Sequence, residues 1–159
     1  MQDRDGNDGP GGQIWLSGRR ISRSARLLVI DDVAVHRMII CKAGQKVGYA
    51  TLEAGNVGEA IEIAHSVDLA GVTLDLSLGE RAGVEVLRRL AELGRKTPVI
   101  IISGADPRGT QAAFDLGVAL GLTMQPPISK PVDLVKLRET LAELELKWRV
   151  RLHSFASVA

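Results

Sequence analysis

The sequence predicts an α/β protein with a doubly wound, five-stranded parallel sheet in the order 2-1-3-4-5. Three observations predict it. From residue 26 onward, short apolar runs alternate with stretches of helical period, which is the pattern of βαβ units built on a mostly parallel sheet. Five such units follow one another. The fifth strand carries Pro126 and Pro127. Proline has no N–H for the ladder, so this strand belongs at an edge, where the order 2-1-3-4-5 places it.

Taken in order, the first strand is read at Leu27–Ile30 and its helix at Ala34–Val47. A strand at Ala50–Leu52 leads to a helix at Val57–His65, and the apolar run Gly71–Leu74 to a helix at Val84–Leu93. Val99–Ile102 gives the fourth strand, followed by a helix at Thr110–Leu120. The fifth strand is the weakest signal, near Leu122–Ile128. The last helix is read at Asp133–Trp148, because Leu134, Leu137, Leu141 and Leu144 recur at three- and four-residue steps and so share a face.

The 159 residues suit one domain, expected at 26–148. Residues 1–25 join a glycine-rich start (Gly6, Gly9, Gly11, Gly12) to a basic run containing Arg19, Arg20 and Arg23, and are read as a disordered tail. Residues 149–159 are read as a C-terminal extension; the terminal KWRVRLHSFASVA is basic and partly apolar, and either prolongs the last helix or binds a partner. Twenty basic residues against nineteen acidic ones leave a formal charge of +1, which argues against a dedicated nucleic-acid binder. The single cysteine, Cys41, excludes an intrachain disulfide framework and a multi-cysteine zinc site; it is expected in the core. No apolar stretch approaches the roughly 18 residues of a spanning helix, and the start of the chain lacks the pattern of an export signal. A cytoplasmic location without a membrane partner is the expectation.

In open α/β sheets, ligands bind beyond the carboxyl ends of the strands. Strand one runs into Asp31 and Asp32, strand three into Asp75, strand four into Ser103, and strand five into Lys130 and Pro131. Carboxylates packed a few ångströms apart repel, by about 1 to 4 kcal/mol per pair at 4 Å. A cation must therefore sit among them. Lys130 can balance one charge, and a hard divalent ion with oxygen ligands, Mg²⁺, can balance the rest. With no Cys or His expected nearby, zinc is not expected. A metal, an ammonium and a hydroxyl around an aspartate are what phosphoryl transfer to a carboxylate requires, with Asp75 as acceptor and Ser103 donating a hydrogen bond. Singly, each residue has a plainer use: Asp32 as a helix cap, Ser103 in a turn, Lys130 on the surface. No GxxxxGK[ST] or GxGxxG motif follows strand one, so the many glycines form no nucleotide loop. His36 and His65 are read as surface or partly buried side chains.

These residues resemble the receiver domains of two-component response regulators. The matching stretches are LLVIDD at 27–32, LEAGNVGEAIEIA at 52–64, VDLAGVTLDLSLGERAGVEVLRRL at 67–90, PVIIISG at 98–104 and SKPV at 129–132. The resemblance covers about residues 26–146 and implies a flavodoxin-like three-layer sandwich. It implies further that Asp75 is phosphorylated by a histidine kinase or histidine phosphotransfer protein. Asp32 would be a direct Mg²⁺ ligand, Asp31 would act through water, and the Ser77 backbone carbonyl would complete the protein's ligands. Ser103 would be the switch hydroxyl and Lys130 the bridge to the phosphoryl group, with a cis Lys130–Pro131 peptide. The signal would leave by altered contact with a downstream protein, or through a homodimer, on the face of the fourth helix, fifth strand and fifth helix. No enzymatic turnover beyond the protein's own phosphorylation and dephosphorylation is implied, and the chain reads as a stand-alone receiver.

Two departures mark this chain. Where the family usually carries Tyr or Phe three residues before the lysine, Pro127 stands here, and the segment Gly117–Lys130 is longer than in the commonest receivers. Pro127 keeps open a phosphorylation-independent scaffold. A Mg²⁺-dependent aspartyl-phosphate phosphatase of the haloacid-dehalogenase kind is the other rival. Those enzymes place an acid/base aspartate two residues after the nucleophile, where this chain has Ser77.

Overall fold

The computed structural model describes residues 13–16, 19–22, 24–78, 80–104 and 106–157. After an N-terminal hairpin of β1 (Gln13–Leu16) and β2 (Arg19–Ser22), the elements are β3 (Arg26–Ile30), α1 (Ala34–Lys46), β4 (Ala50–Ala54), α2 (Val57–Ser66) and β5 (Gly71–Asp75). There follow a 3₁₀ turn (Leu76–Leu78), α3 (Glu80–Glu92), β6 (Pro98–Ser103), α4 (Pro107–Ala119), β7 (Thr123–Met124), β8 (Ile128–Ser129) and α5 (Leu134–Ala156). The parallel sheet has the order β4-β3-β5-β6-β7, with β8 also paired to β6. Counted from β3, this is the expected 2-1-3-4-5. The fifth strand is present as two short pieces, β7 and β8, both on β6 at the sheet edge. Gln125, Pro126 and Pro127 interrupt it, since two consecutive residues without N–H groups cannot hold a ladder.

β5 and β6 are buried along their whole length and β3 from Leu27 onward, as a sheet covered on both faces requires. Alternate side chains enter two separate cores. Leu28, Ile30, Val72, Leu74, Val99 and Ile101 pack with residues of α2, α3 and α4. Leu27, Val29, Ile100 and Ile102 pack on the other side with Ile40 and Cys41 of α1 and Leu137, Leu141 and Leu144 of α5. Cys41 is thus a core residue, as expected. Leu134 is not, being 37% exposed at the start of its helix. The close fit of α1 to the sheet depends on Gly44, where an added Cβ would lie 2.8 Å from Leu27 Cδ2.

Three boundaries differ from the sequence expectation for identifiable reasons. The helix expected from Thr110 begins at Pro107, because Asp106 caps it through Gly109 N–H and proline is well suited to the first turn. The last helix does not stop at Trp148 but continues to Ala156, taking in most of the expected extension; Arg149 pairs with Glu145 one turn back and Arg151 lies over the Trp148 ring. In the expected disordered tail, residues 13–16 and 19–22 form an antiparallel hairpin in which Trp15 faces Arg20 in register. Strand alternation there was hidden by the arginines; residues 1–12 of that tail lie outside the described residues. Among the described residues no helix is long and apolar enough to cross a membrane.

Candidate functional site

Because the strands are parallel, their carboxyl ends share one edge, and the residues that follow them meet there. Asp31 follows β3 and has no exposed surface; Asp75 ends β5 at 2% exposure and Ser103 ends β6 at 3%. Lys130 follows β8. Its position is fixed by the register that pairs Ser103 with Ser129 and by its own N–H, which donates to the Ser103 carbonyl at 2.9 Å. The Lys130–Pro131 peptide is cis, as expected.

The Lys130 ammonium stands at the centre of the group. Its Nζ donates to Asp75 Oδ2 at 2.7 Å and to Asp31 Oδ2 at 3.3 Å, and lies 3.1 Å from His36 Nδ1. Asp75 is held on its other oxygen as well, where Oδ1 accepts from the Ser77 N–H at 2.9 Å and the Ser77 hydroxyl at 2.6 Å. Asp31 Oδ1 accepts from Val33 N–H at 2.8 Å, in the turn that leads into α1. Neither Asp31 nor Asp32 caps that helix through its side chain. Arg37 braces the same strand end, donating to the Asp31 carbonyl at 2.7 Å and pairing with Glu53 at 3.2 Å.

The two carboxylates differ in character. Burial pushes Asp75 up, but the hydrogen bonds from Lys130 and Ser77 outweigh it and hold the carboxyl below its ordinary value. Asp31 is pushed up, by burial first and then by the neighbouring Asp75, against the opposing Val33 N–H. For Lys130, burial would lower the value, yet the two aspartates raise it. The site therefore holds an Asp75 kept ionised by a charged lysine, and of the two carboxyls Asp31 takes a proton more readily.

Asp31, Asp75 and Lys130 meet as the sequence indicated, and Ser103 ends the neighbouring strand, its carbonyl accepting from the Lys130 N–H. Asp32 is exposed beside them, and Ser77 reaches Asp75 through its N–H and hydroxyl. The expectation that no histidine lies nearby is corrected. Ligand atoms of Asp31, His36 and Asp75 all fall within 4.8 Å of one another, and His36 Nδ1 is 3.3 Å from Asp31 Oδ2. His36 is in the first turn of α1, where Cα–Cβ bonds tilt back toward the helix N-terminus and hence toward the strand ends. That tilt was the available signal. Carboxylate oxygens on two strand ends, with a third carboxylate at the rim, form a donor set that fits a hard divalent ion such as Mg²⁺.

The family model described as "Response regulator receiver domain" matches residues 27–142. A sensory/regulatory protein of Xanthomonas campestris pv. campestris, RpfC, is 29% identical over 140 residues, covering 85% of this chain and 18% of its own length. This chain thus spans less than a fifth of that relative. A response regulator from Colwellia psychrerythraea has a TM-score of 0.68 at 22% identity, over 77% of this chain and 98% of that one. The receiver domain of a sensor histidine kinase from Pseudomonas aeruginosa has a TM-score of 0.63 at 18% identity, over 77% of this chain and 98% of its own. That structure has a magnesium ion coordinated in the active site cleft.

Proposed function

The chain belongs to the response regulator receiver domain family, and from that premise we propose that it is a phosphorylation switch with Asp75 as its phosphoacceptor. The observation that carries this reading is the clamp on Asp75, a buried carboxylate kept ionised by Lys130 at 2.7 Å and by Ser77. Receiver domains take phosphoryl groups from histidine kinases or phosphotransfer proteins. In the reaction, an Asp75 oxygen forms a bond to phosphorus while the bond from phosphorus to the donor nitrogen breaks, and the donor imidazole keeps that electron pair. Lys130, freed from the carboxylate oxygen that becomes part of the acyl phosphate, turns its N–H groups to the phosphoryl oxygens. Ser103, at the end of the adjacent strand, supplies a hydroxyl on the same side. Asp32, Asp75 and the Ser77 carbonyl would hold Mg²⁺, with Asp31 acting through water, and the ion would neutralise the phosphoryl charge.

Two features favour a persistent phosphoaspartate over turnover. Ser77 stands where a phosphatase of the haloacid-dehalogenase kind needs an acid/base carboxylate, and its hydroxyl is committed to Asp75 Oδ1. With Pro127 in place of an aromatic, the link from Ser103 toward the α4-β8-α5 face runs through the neighbouring Ile128, which is buried and registered with Ile102.

Incubation with acetyl phosphate and Mg²⁺, read by intact mass, tests the proposal. The parent protein gains one phosphoryl group and Asp75→Asn gains none. A parent protein that gains nothing is instead a phosphorylation-independent scaffold, and continuous phosphate release from small phosphomonoesters identifies a phosphatase.

A further inference from the structure

We propose that His36 is a nitrogen ligand of the divalent-ion site, so that this site binds imidazole-accepting transition ions in preference to Mg²⁺. The inference rests on the reading that the acidic strand ends form a cation site, and it gives a transition ion there two oxygens, from Asp31 and Asp75, and one nitrogen, a set distinct from the Asp32, Asp75 and Ser77 ligands read for Mg²⁺. His36 Nδ1 lies 3.1 Å from Lys130 Nζ and 3.3 Å from Asp31 Oδ2. In the tautomer with the ring proton on Nε2, His36 presents a bare Nδ1 to the site. The nitrogen is ready to bind a cation.

The spacing agrees. Ions of this class bind imidazole nitrogen and carboxylate oxygen at about 2.0–2.2 Å, so donors on opposite sides of one ion are about 4.4 Å apart. The three ligand atoms lie within 4.8 Å of one another, with the His36–Asp31 edge at 3.3 Å. Small side-chain rotations close the triangle. An ion entering it replaces the ammonium now bridging the same three atoms, so Lys130, 18% exposed, must withdraw. Mg²⁺ gains little from this arrangement, being selective for oxygen and reluctant to lose water. Imidazole favours Co²⁺, Ni²⁺ and Zn²⁺, in the general order of first-row affinities. His36 is partly exposed, with 43% of its side chain open to solvent, so ions reach it without opening the fold.

Titration calorimetry of the full chain with Co²⁺ and with Mg²⁺, alongside the visible absorption of bound Co²⁺, tests the assignment in the parent, His36→Ala and His36→Gln. Binding of Co²⁺ at least about tenfold tighter than Mg²⁺, a loss of about tenfold or more in Co²⁺ affinity in both variants, and Mg²⁺ affinity within about twofold of the parent support it. A shift of the Co²⁺ d–d bands on substitution is expected as well. Co²⁺ affinity within about twofold of the parent in both variants, or equal weakening of Co²⁺ and Mg²⁺, overturns it and leaves His36 as a partner of Lys130 only. Thermal unfolding without metal checks that each variant is folded. Phosphorylation by acetyl phosphate separates the two claims, since unchanged Co²⁺ binding in the variants with normal labelling of Asp75 removes the ligand role alone. Loss of labelling in the parent, with Co²⁺ still bound through His36, removes the switch reading alone.

Discussion

Lys130→Met keeps an unbranched side chain one atom shorter and removes its charge, which isolates what the ammonium does for the two carboxylates. The side chains of Asp31 and Asp75 are 0% and 1% exposed and that of Lys130 is 18% exposed. Removing one partner of a fully buried ion pair costs roughly 3–5 kcal/mol, and the partial exposure of Lys130 places this case near the lower end, at about 3 kcal/mol. A second route gives a similar figure: carboxylate oxygens within 4.8 Å of each other repel by about 3.5 kcal/mol at an effective dielectric of 20. The folded variant relieves the repulsion by protonating Asp31, already raised above its ordinary value by burial and by Asp75. A carboxyl whose folded pKa lies above its unfolded one destabilises the fold when ionised. That penalty is fully present above the folded pKa and fades as pH falls through it toward the unfolded value. Urea unfolding of parent and variant, without metal, at mildly alkaline and mildly acidic pH measures both parts. The expected result is a loss of about 3 kcal/mol at alkaline pH that shrinks on acidification. An unchanged midpoint at alkaline pH, or an equal loss at both, would refute the charge-compensation argument.

Other outcomes follow from single contacts. Thr73 Oγ1 is buried in the central strand β5 without a hydrogen-bond partner, so Thr73→Val, which removes the hydroxyl and keeps the shape, should raise stability by about 1 kcal/mol in urea unfolding. Asn56 caps α2 by accepting from Glu59 N–H at 2.9 Å while Glu59 returns a contact to Gly55 N–H at 2.8 Å; Asn56→Ala should cost about 1 kcal/mol in the same assay. Asp75 has its folded pKa below the unfolded value of about 3.9, so its contribution is present above that pH and is lost as pH falls through the folded value. Acid unfolding of Asp75→Asn should therefore depend less steeply on pH below about 4 than that of the parent.

Much of the fold was legible because buried parallel strands are continuous apolar runs. Val99–Ile102 and Leu27–Ile30 were read within a residue or two at each end. The edge strand was harder, since β7 and β8 have two residues each and no periodicity can show in two residues. The Pro126–Pro127 pair nevertheless located the interruption. The helix at Pro107 was read late because its cap, Asp106, and the first turn precede the apolar pattern, whereas the helix capped by Asn56 was read from its first residue. In the site, Asp31, Asp75, Ser103 and Lys130 could be found because each directly follows or ends a strand, so topology alone brings them to one edge. His36 could not be found by that rule. It sits on a helix, and its approach to Lys130 depends on the tilt of a side chain in the first turn, which strand-end counting does not see. The clamp of Ser77 on Asp75 depends likewise on the 3₁₀ turn at Leu76–Leu78.

Reductive mapping of the acyl phosphate bears most directly on the role given to Asp75. After exposure to a phosphohistidine donor, borohydride converts a phosphorylated aspartate to homoserine, and peptide sequencing by mass spectrometry locates it. Homoserine at position 75 and nowhere else is the predicted result. Homoserine at position 31 or 32, or at no position while the donor is consumed, would contradict it.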